Sequence, residues 1–366
     1  MTHPSSTKTV STREAWRGAL LWWVAVPVTA MAALLVLTVV TTRTDESAAP
    51  STTSQVRNEA HGGSGDFPRT VETSVGDVVV AARPVRIVSC VPSADEMLVE
   101  LVDVTRLWAV THNAAVSRWS FAREALLDIP ATRHVRFVAE QSDEIVRWQP
   151  DLVVVGSFTE AGFRERMRDA GIPVLTLQAP DSLEAIFRNL ELLGRATGED
   201  EAATALRKRL RERLAAVRER VAGDRRLRAL YLAYYGEELS TVGEGSTLDV
   251  QLEHAGYANL GRRKLAGSWG PLGFEHVADL DRTAGIEVLL FPHAERANDT
   301  RDPTVIPHAA RFASLPGADQ LTPIARDPSR LLEIPQRYVQ TSSHHIVSGI
   351  EWLAAQRKRL AQDAGE

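Results

Sequence analysis

The sequence predicts an α/β protein with two parallel-sheet lobes joined by one long helix and preceded by a membrane-spanning segment. Three observations predict it. Short apolar, β-branched runs alternate with amphipathic stretches in two successive series, as strands and helices do in a parallel sheet. A helical repeat with one apolar stripe separates the series. An uncharged run of 25 residues, Gly18 to Thr42, lies near the N-terminus.

The first series opens on a hairpin, Val71 to Thr73 and Asp77 to Ala81, turned by Ser74, Val75 and Gly76. Its first parallel strand is Arg86 to Ser89, without polar alternation, as in a strand covered on both faces. Pro92 and Ser93 break the run. Ser93 is the expected N-cap, Glu96 stands where a capping-box partner would, and Met97, Leu98 and Leu101 form the buried side of the following helix. Further strands are expected at Leu107 to Thr111, Asp151 to Val155 and Val174 to Leu177, with helices at Ser142 to Trp148, Phe163 to Ala170 and Ser182 to Ala196. In such sheets ligands collect beyond the carboxyl ends of strands. The junction from Arg86 to Leu101 is therefore one wall of a binding cleft.

Between the series, Leu206, Leu210, Leu214, Val217 and Val221 recur at helical spacing within Asp200 to Val221. At 1.5 Å per residue this helix is about 33 Å long, enough to bridge two lobes. The second series has strands at Arg228 to Ala233, Glu287 to Phe291 and Leu331 to Ile334, and helices at Thr247 to Ala255, near Phe274 to Leu280, and at His345 to Leu360.

At 366 residues the chain can hold two cores, since single cores stop growing at about 250 to 300 residues. A net charge of −5 gives no basic surplus for nucleic acid, and the basic run Arg207 to Arg228 is interleaved with Glu212, Glu219 and Asp224 as on a solvated helix face. The single cysteine, Cys90, allows no intramolecular disulfide and follows a buried strand as a small apolar filler. Lys8, Arg13 and Arg17 before the apolar run keep the N-terminus cytoplasmic and place everything after Thr42 outside. The run exceeds the about 7 to 15 residues of a signal-peptide core, which favours an uncleaved anchor over cleavage near Ser47-Ala48-Ala49. No cysteine follows it closely enough to carry a lipid.

The resulting organisation is a cytoplasmic N-terminus over 1–17, a transmembrane anchor over 18–42, a flexible tether over 43–69, an N-terminal α/β lobe over 70–180, a helical segment over 181–225 and a C-terminal α/β lobe over 226–366. Each lobe is Rossmann-like.

Several strings in order carry a family resemblance: RIVSCVPSADEMLVEL from Arg86, AEQSDEIVRWQPDLVVVGS from Ala139, AGIPVLTL from Ala170, and TVGEGSTLDVQLEHAGYANL from Thr241. Together they resemble the helix-linked class of substrate-binding proteins of ABC importers, which serves cobalamin, haem and iron-siderophore uptake. The resemblance covers about Val71 to Leu360. It implies a rigid bilobal receptor, a monomer with no catalytic activity and no cofactor, that docks on its permease with one surface glutamate per lobe. Glu160 matches the first-lobe position. Glu253 matches the second, with Asp249 as its rival. The chain departs from the family's usual lipid-anchored or cleaved N-terminus, and a transmembrane anchor would keep the receptor near its permease.

Cleft walls come from loops after the strands. In the first half these are Val91 to Ser93, His112 to Trp119 and Ser157 to Thr159; in the second, Tyr234 to Glu237, Gly245 to Thr247, Ser268 to Gly270, His293 to Arg296 and Arg337 to Thr341. Trp119, Phe158, Tyr235, Trp269 and Tyr338 place aromatics there, as suits a large flat ligand, whereas Tyr231, on a strand, belongs to the core. His112, directly after a strand, is the foremost histidine for a ligand contact or an axial metal ligand. Ser157 and Ser246 complete the polar set, and Arg118, Arg296 and Arg337 could pair with ligand carboxylates or phosphates. His344 and His345 are adjacent and expected to point to different faces, so no resident metal site is expected.

The function expected is extracytoplasmic capture of a bulky metal chelate (corrinoid, ferric siderophore or haem) for an ABC permease. A tethered sensor or scavenger without a permease is the alternative. An exported hydrolase is disfavoured, because the chain has no nucleophile elbow, Gly-rich phosphate loop or metal-hydrolase histidine pair.

Overall fold

The structure, a computed structural model, describes residues 67–117, 119–293, 308–322 and 328–363. Residues 62–366 form one compact unit. The expected anchor over 18–42, Arg118 and Arg296 lie outside the described residues. No helix among the described residues is long and apolar enough to cross a membrane.

The chain enters through an antiparallel hairpin, β1 (Arg69–Thr73) and β2 (Gly76–Val80). A five-stranded sheet follows, built from β3 (Ile87–Ser89), β4 (Leu107–Thr111), β5 (His134–Val135), β6 (Leu152–Gly156) and β7 (Val174–Leu177). Its order is β5-β4-β3-β6-β7, parallel throughout. The chain winds one way through β3, β4 and β5 and the other way through β6 and β7. The switch point therefore lies between β3 and β6, the place where ligands collect in sheets of this kind. Every residue of β3 and β6 is buried, which is why their sequences carry no polar alternation.

The flanking helices are α1 (Pro92–Leu101), α2 (His112–Val116), α3 (Ser142–Arg147), α4 (Ala161–Asp169) and α5 (Leu183–Thr197). One boundary differs from expectation. Val91, in extended conformation, is the N-cap of α1, and Pro92 takes the first helical position. Proline suits that place because it lacks the N–H that would be unpartnered there. Ser93 is buried inside the first turn, and Glu96 is freed from the capping role.

The helix α6 (Asp200–Val221) matches its expected span. Its buried face is Ala203, Leu206, Leu210 and Val217, with Leu214 and Val221 half-covered beside them. It packs on α5 and on the last helix, α11 below, so it touches both halves of the molecule.

The second sheet contains β8 (Leu227–Tyr231), β11 (Tyr257–Asn259), β13 (Val288–His293) and β14 (Leu331–Pro335) in the order β11-β8-β13-β14, again parallel with its switch between β8 and β13. Between β8 and β13 the chain adds a small antiparallel sheet, β12-β10-β9, from β9 (Ala233–Tyr235), β10 (Glu238–Val242) and β12 (Trp269–Pro271). The helices here are α7 (Thr247–His254), α8 (Phe274–Ala284), α9 (His308–Ala313), α10 (Gln336–Gln340) and α11 (Ile346–Asp363).

One apolar core runs through both halves. It joins Ile87, Met97 and Leu190 of the first to Leu206 and Leu210 of α6 and to Tyr231, Tyr257 and Ile350 of the second. Two smaller cores cover the outer faces, one around Val153, Phe163 and Met167, the other around Leu289, Phe291 and Phe312. A shared core of this kind resists hinge motion, because closing the cleft would have to slide packed side chains past one another.

Candidate functional site

The two sheets meet through their carboxyl-end segments. Glu96, in α1 just after β3, is buried and accepts hydrogen bonds from Ser343 Oγ at 2.6 Å and Thr341 Oγ1 at 3.1 Å. Both hydroxyls lie just beyond α10, which follows β14. The backbone N–H of Phe121 also donates to Glu96, at 3.1 Å. Burial pushes the Glu96 carboxyl above its ordinary range, and the three donors pull it partly back. Phe121 stacks on His345 at 4.1 Å between centroids, lies 6.0 Å from Tyr338, and has the Arg337 guanidinium 5.6 Å from its ring. Arg337, half-buried, thus lies beside Phe121 at the contact between the halves.

Beside Glu96, Asp95 is fully buried under the first sheet's carboxyl edge. Thr111 donates to it through its backbone N–H at 3.1 Å and its hydroxyl at 2.5 Å. Burial pushes Asp95 up to about 8, so it is largely protonated at neutral pH. Cys90 is buried too and its thiol is pushed up, as befits an inert filler.

The sequence-expected ligand residues divide into three groups. Phe158 and Ser157, after β6, are exposed, with Phe158 at 76%. Tyr235 and Trp269 are exposed on the small antiparallel sheet and form an edge-to-face pair at 5.2 Å and 90°. They sit at strand ends rather than in loops, because β9 and β12 carry only three residues each. These four present side-chain surface to solvent. His112, directly after β4, and Trp119, after α2, are half-buried. The His112 ring lies 5.7 Å from that of His134, and burial lowers its pKa and keeps the imidazole neutral. Ser246 is occupied by the fold. Its hydroxyl caps α7 by accepting from the Asp249 N–H at 3.0 Å and donates to the Gly243 carbonyl at 3.1 Å. The S-x-x-D pattern before an apolar run signals this cap. Gly245, at φ +77°, makes the left-handed turn into it.

The two acids considered for docking differ. Glu160 is exposed at the N-terminus of α4 and pairs with none of the described residues. Glu253 pairs with Arg262 at 2.8 Å and Arg226 at 3.6 Å. Its rival Asp249 is 1% exposed and clamps Arg262 with both oxygens, so it anchors α7 and is unavailable as surface charge. A cavity of about 620 Å³ lies away from the strand ends. It runs along α6 between Phe187, Arg211 and Arg218 on one side and Glu253, His254 and Gly256 on the other.

One expectation is overturned. His344 and His345 do not diverge. Ser343 turns the chain tightly into α11, its hydroxyl accepting from the His345 N–H at 3.2 Å, and the two imidazoles lie 4.1 Å apart. Sequence reasoning also missed Glu96, whose position fitted a capping box equally well.

Two parallel sheets, each with one switch point, share a core and are joined by α6. A family model described as "Periplasmic binding protein" matches residues 87–299, and the chain belongs to this family. Its members are solute-binding proteins, not enzymes. The chain is 25% identical over 158 residues to an uncharacterised ABC transporter substrate-binding lipoprotein, YvrC of Bacillus subtilis, covering 42% of this chain and 48% of that one. It is 26% identical over 196 residues to a cobalamin-binding protein of Halobacterium salinarum, covering 53% and 51%. The chain thus spans about half the length of the curated relatives it matches. Among solved structures, an ABC-type Fe3+-hydroxamate transport protein of Saccharomonospora viridis superposes with a TM-score of 0.58 at 22% identity, covering 80% of this chain and 99% of that one. At that identity the likeness establishes the fold.

Proposed function

We propose that the chain is an extracytoplasmic receptor that captures a bulky metal chelate, a corrinoid, ferric siderophore or haem, between its two halves and delivers it to an ABC permease. The observation that carries this reading is the set of exposed aromatics, Phe158, Tyr235 and Trp269, on segments following the central strands of two switch-point sheets. Exposed rings cost solvation in a monomer, and a broad flat ligand recovers it. His112 supplies a neutral imidazole on the same edge of the first sheet, in reach of the role of axial or polar contact. The names of the relatives, an importer lipoprotein and a cobalamin-binding protein, support the same ligand class.

In this reading the lobes are residues 70–180 and 226–366, the helical segment 181–225 holds them, and Gly18 to Thr42 anchors the monomer to the cytoplasmic membrane with the receptor outside. Glu160 is the first docking acid. Glu253, already shared between two arginines, is the second and weaker one. The proposed ligand contacts are Ser157, Phe158, His112, Trp119, Tyr235, Trp269, Ser246, which also caps α7, and Arg337, which also lies beside Phe121.

The test is a titration of the purified chain with corrinoids, haem and ferric siderophores. Binding should quench tryptophan emission and raise the melting temperature for one of the three classes. No change with any of them overturns the reading.

A further inference from the structure

Behind the cleft, one turn of α1 beyond Glu96, Glu100 faces His344 and His345. One ligand-capable atom from each of the three lies within 4.8 Å of the other two. We propose that Glu100, His344 and His345 form a site for one borderline divalent transition ion, of the zinc type, that ties the two halves of the molecule together.

The donor set decides the class of ion. Two imidazoles and a carboxylate suit zinc, cobalt, nickel or copper, whereas calcium and magnesium require oxygen donors. Tetrahedral zinc with bonds of about 2.1 Å holds its ligand atoms about 3.4 Å apart. Glu100 is exposed on the helix surface, so a rotation of its side chain can close that gap. His344 is 3% exposed and its Nδ1 is buried with no hydrogen-bond partner among the described residues. Such an orphaned nitrogen costs free energy unless something occupies it. Both imidazoles are neutral, burial lowering them to about 3 and about 4, which is the form a metal takes. The nearby Arg213 guanidinium would oppose a cation, but Glu351 neutralises it through two contacts, at 2.9 and 2.7 Å.

The ligands come from both halves. Glu100 belongs to α1 and the histidines to the turn before α11, so an ion held by all three cross-links the seam that Glu96 already bridges. Because Glu100 is exposed and His345 half-buried, a bound ion would be reachable from solvent, with water as its fourth ligand.

The experiment uses the untagged full chain in mild detergent, stripped with a chelator and titrated with zinc by calorimetry and with cobalt by visible absorption. One ion should bind, raise the melting temperature, and give the intense cobalt bands of a four-coordinate site. Glu100→Gln should weaken binding at least about tenfold, and His345→Ala should abolish the cobalt bands. Because Glu100 is exposed, its variant folds and decides the matter even if the histidine variant does not. No binding by the unmodified chain overturns the proposal. So does binding unchanged in both variants, or binding lost instead in His112→Ala, which would place the ion in the cleft.

Discussion

The two halves of this protein share a plan and spend their strand ends differently. Both are parallel sheets with one switch point, flanked by helices and fused through a common core. The first half buries acids at its switch point, Asp95 and Glu96, and pairs them with hydroxyls and backbone N–H groups, Asp95 through one oxygen. The second half inserts an antiparallel sheet and exposes aromatics on it. The first half supplies more of the fixed polar framework, with Phe158 exposed after β6, and the second adds the paired aromatic surface of its inserted sheet. In a repeated architecture the regular repeat is constrained by its own packing, so an insertion is where new surface can be added at least cost to the core.

The largest expected effect tests the framework. Asp95 is pushed up to about 8 by burial, against about 3.8 in the unfolded chain. Between those values the native state holds a proton that the unfolded state has released. The stability that Asp95 contributes therefore falls as pH rises from about 4 to about 8, by up to roughly 4 kcal/mol at pH 7 as an upper figure, while the buried neutral His344 and His345 act in the opposite direction at acid pH. Asp95→Asn copies the protonated carboxyl and keeps an acceptor for Thr111. It should remove that contribution and melt higher than the parent at pH 7.5, with the two converging near pH 4. A difference between the two melting temperatures that stays the same across this range would show that Asp95 is not the buried acid described here.

Next is the seam. Glu96→Ala leaves two buried hydroxyls and the Phe121 N–H without their acceptor. The cost should be about 2 to 4 kcal/mol, read from denaturant unfolding, whereas Glu96→Gln, which keeps one acceptor oxygen, should cost less than half as much. Equal losses in the two variants would mean that charge, not hydrogen bonding, holds the seam.

Much of this framework was legible in the sequence, and the reasons are physical. The helix α6 could be placed to the residue because a long stripe with one buried face leaves a period that no other structure imitates. The strands β3 and β6 were legible because double-sided burial removes polar residues from them. The small antiparallel sheet was not, since three-residue strands such as Trp269–Pro271 are too short to show alternation and contain the glycine and proline that signal loops. Glu96 was legible as a residue but not in its role. A glutamate three positions after a serine fits a capping box, and only the register set by Pro92 releases it to reach residues 245 and 247 positions away. The same limit hid the histidine pair, because adjacency predicts divergence only in regular elements and Ser343 makes a turn.

The aromatic half is tested by Trp269→Ala. If the ring stacks on ligand, affinity should fall by about 1 to 3 kcal/mol, measured by emission quenching through the remaining tryptophans or by calorimetry. Stability should hardly change, because Trp269 is 42% exposed and its main partner, Tyr235, is exposed too. Loss of stability without loss of affinity would return the pair to a structural role and remove the contrast between the halves.

The smallest effect separates the halves at their outer surfaces. Glu160 has no ion pair among the described residues, so Glu160→Lys should leave unfolding within about 0.5 kcal/mol of the parent and leave ligand affinity unchanged. Glu253→Lys places a cation against Arg262 and Arg226 and forfeits two partly exposed pairs, a loss of up to about 1 kcal/mol. If both acids meet arginines on a permease, uptake by membrane vesicles or cells should fall in both variants, and more steeply for Glu160, whose charge is not already shared. Uptake unaffected by Glu160→Lys would remove that residue from docking. A greater loss from Glu253→Lys would reverse the order, because it would mean that the permease arginine competes successfully with Arg262 for the same carboxylate.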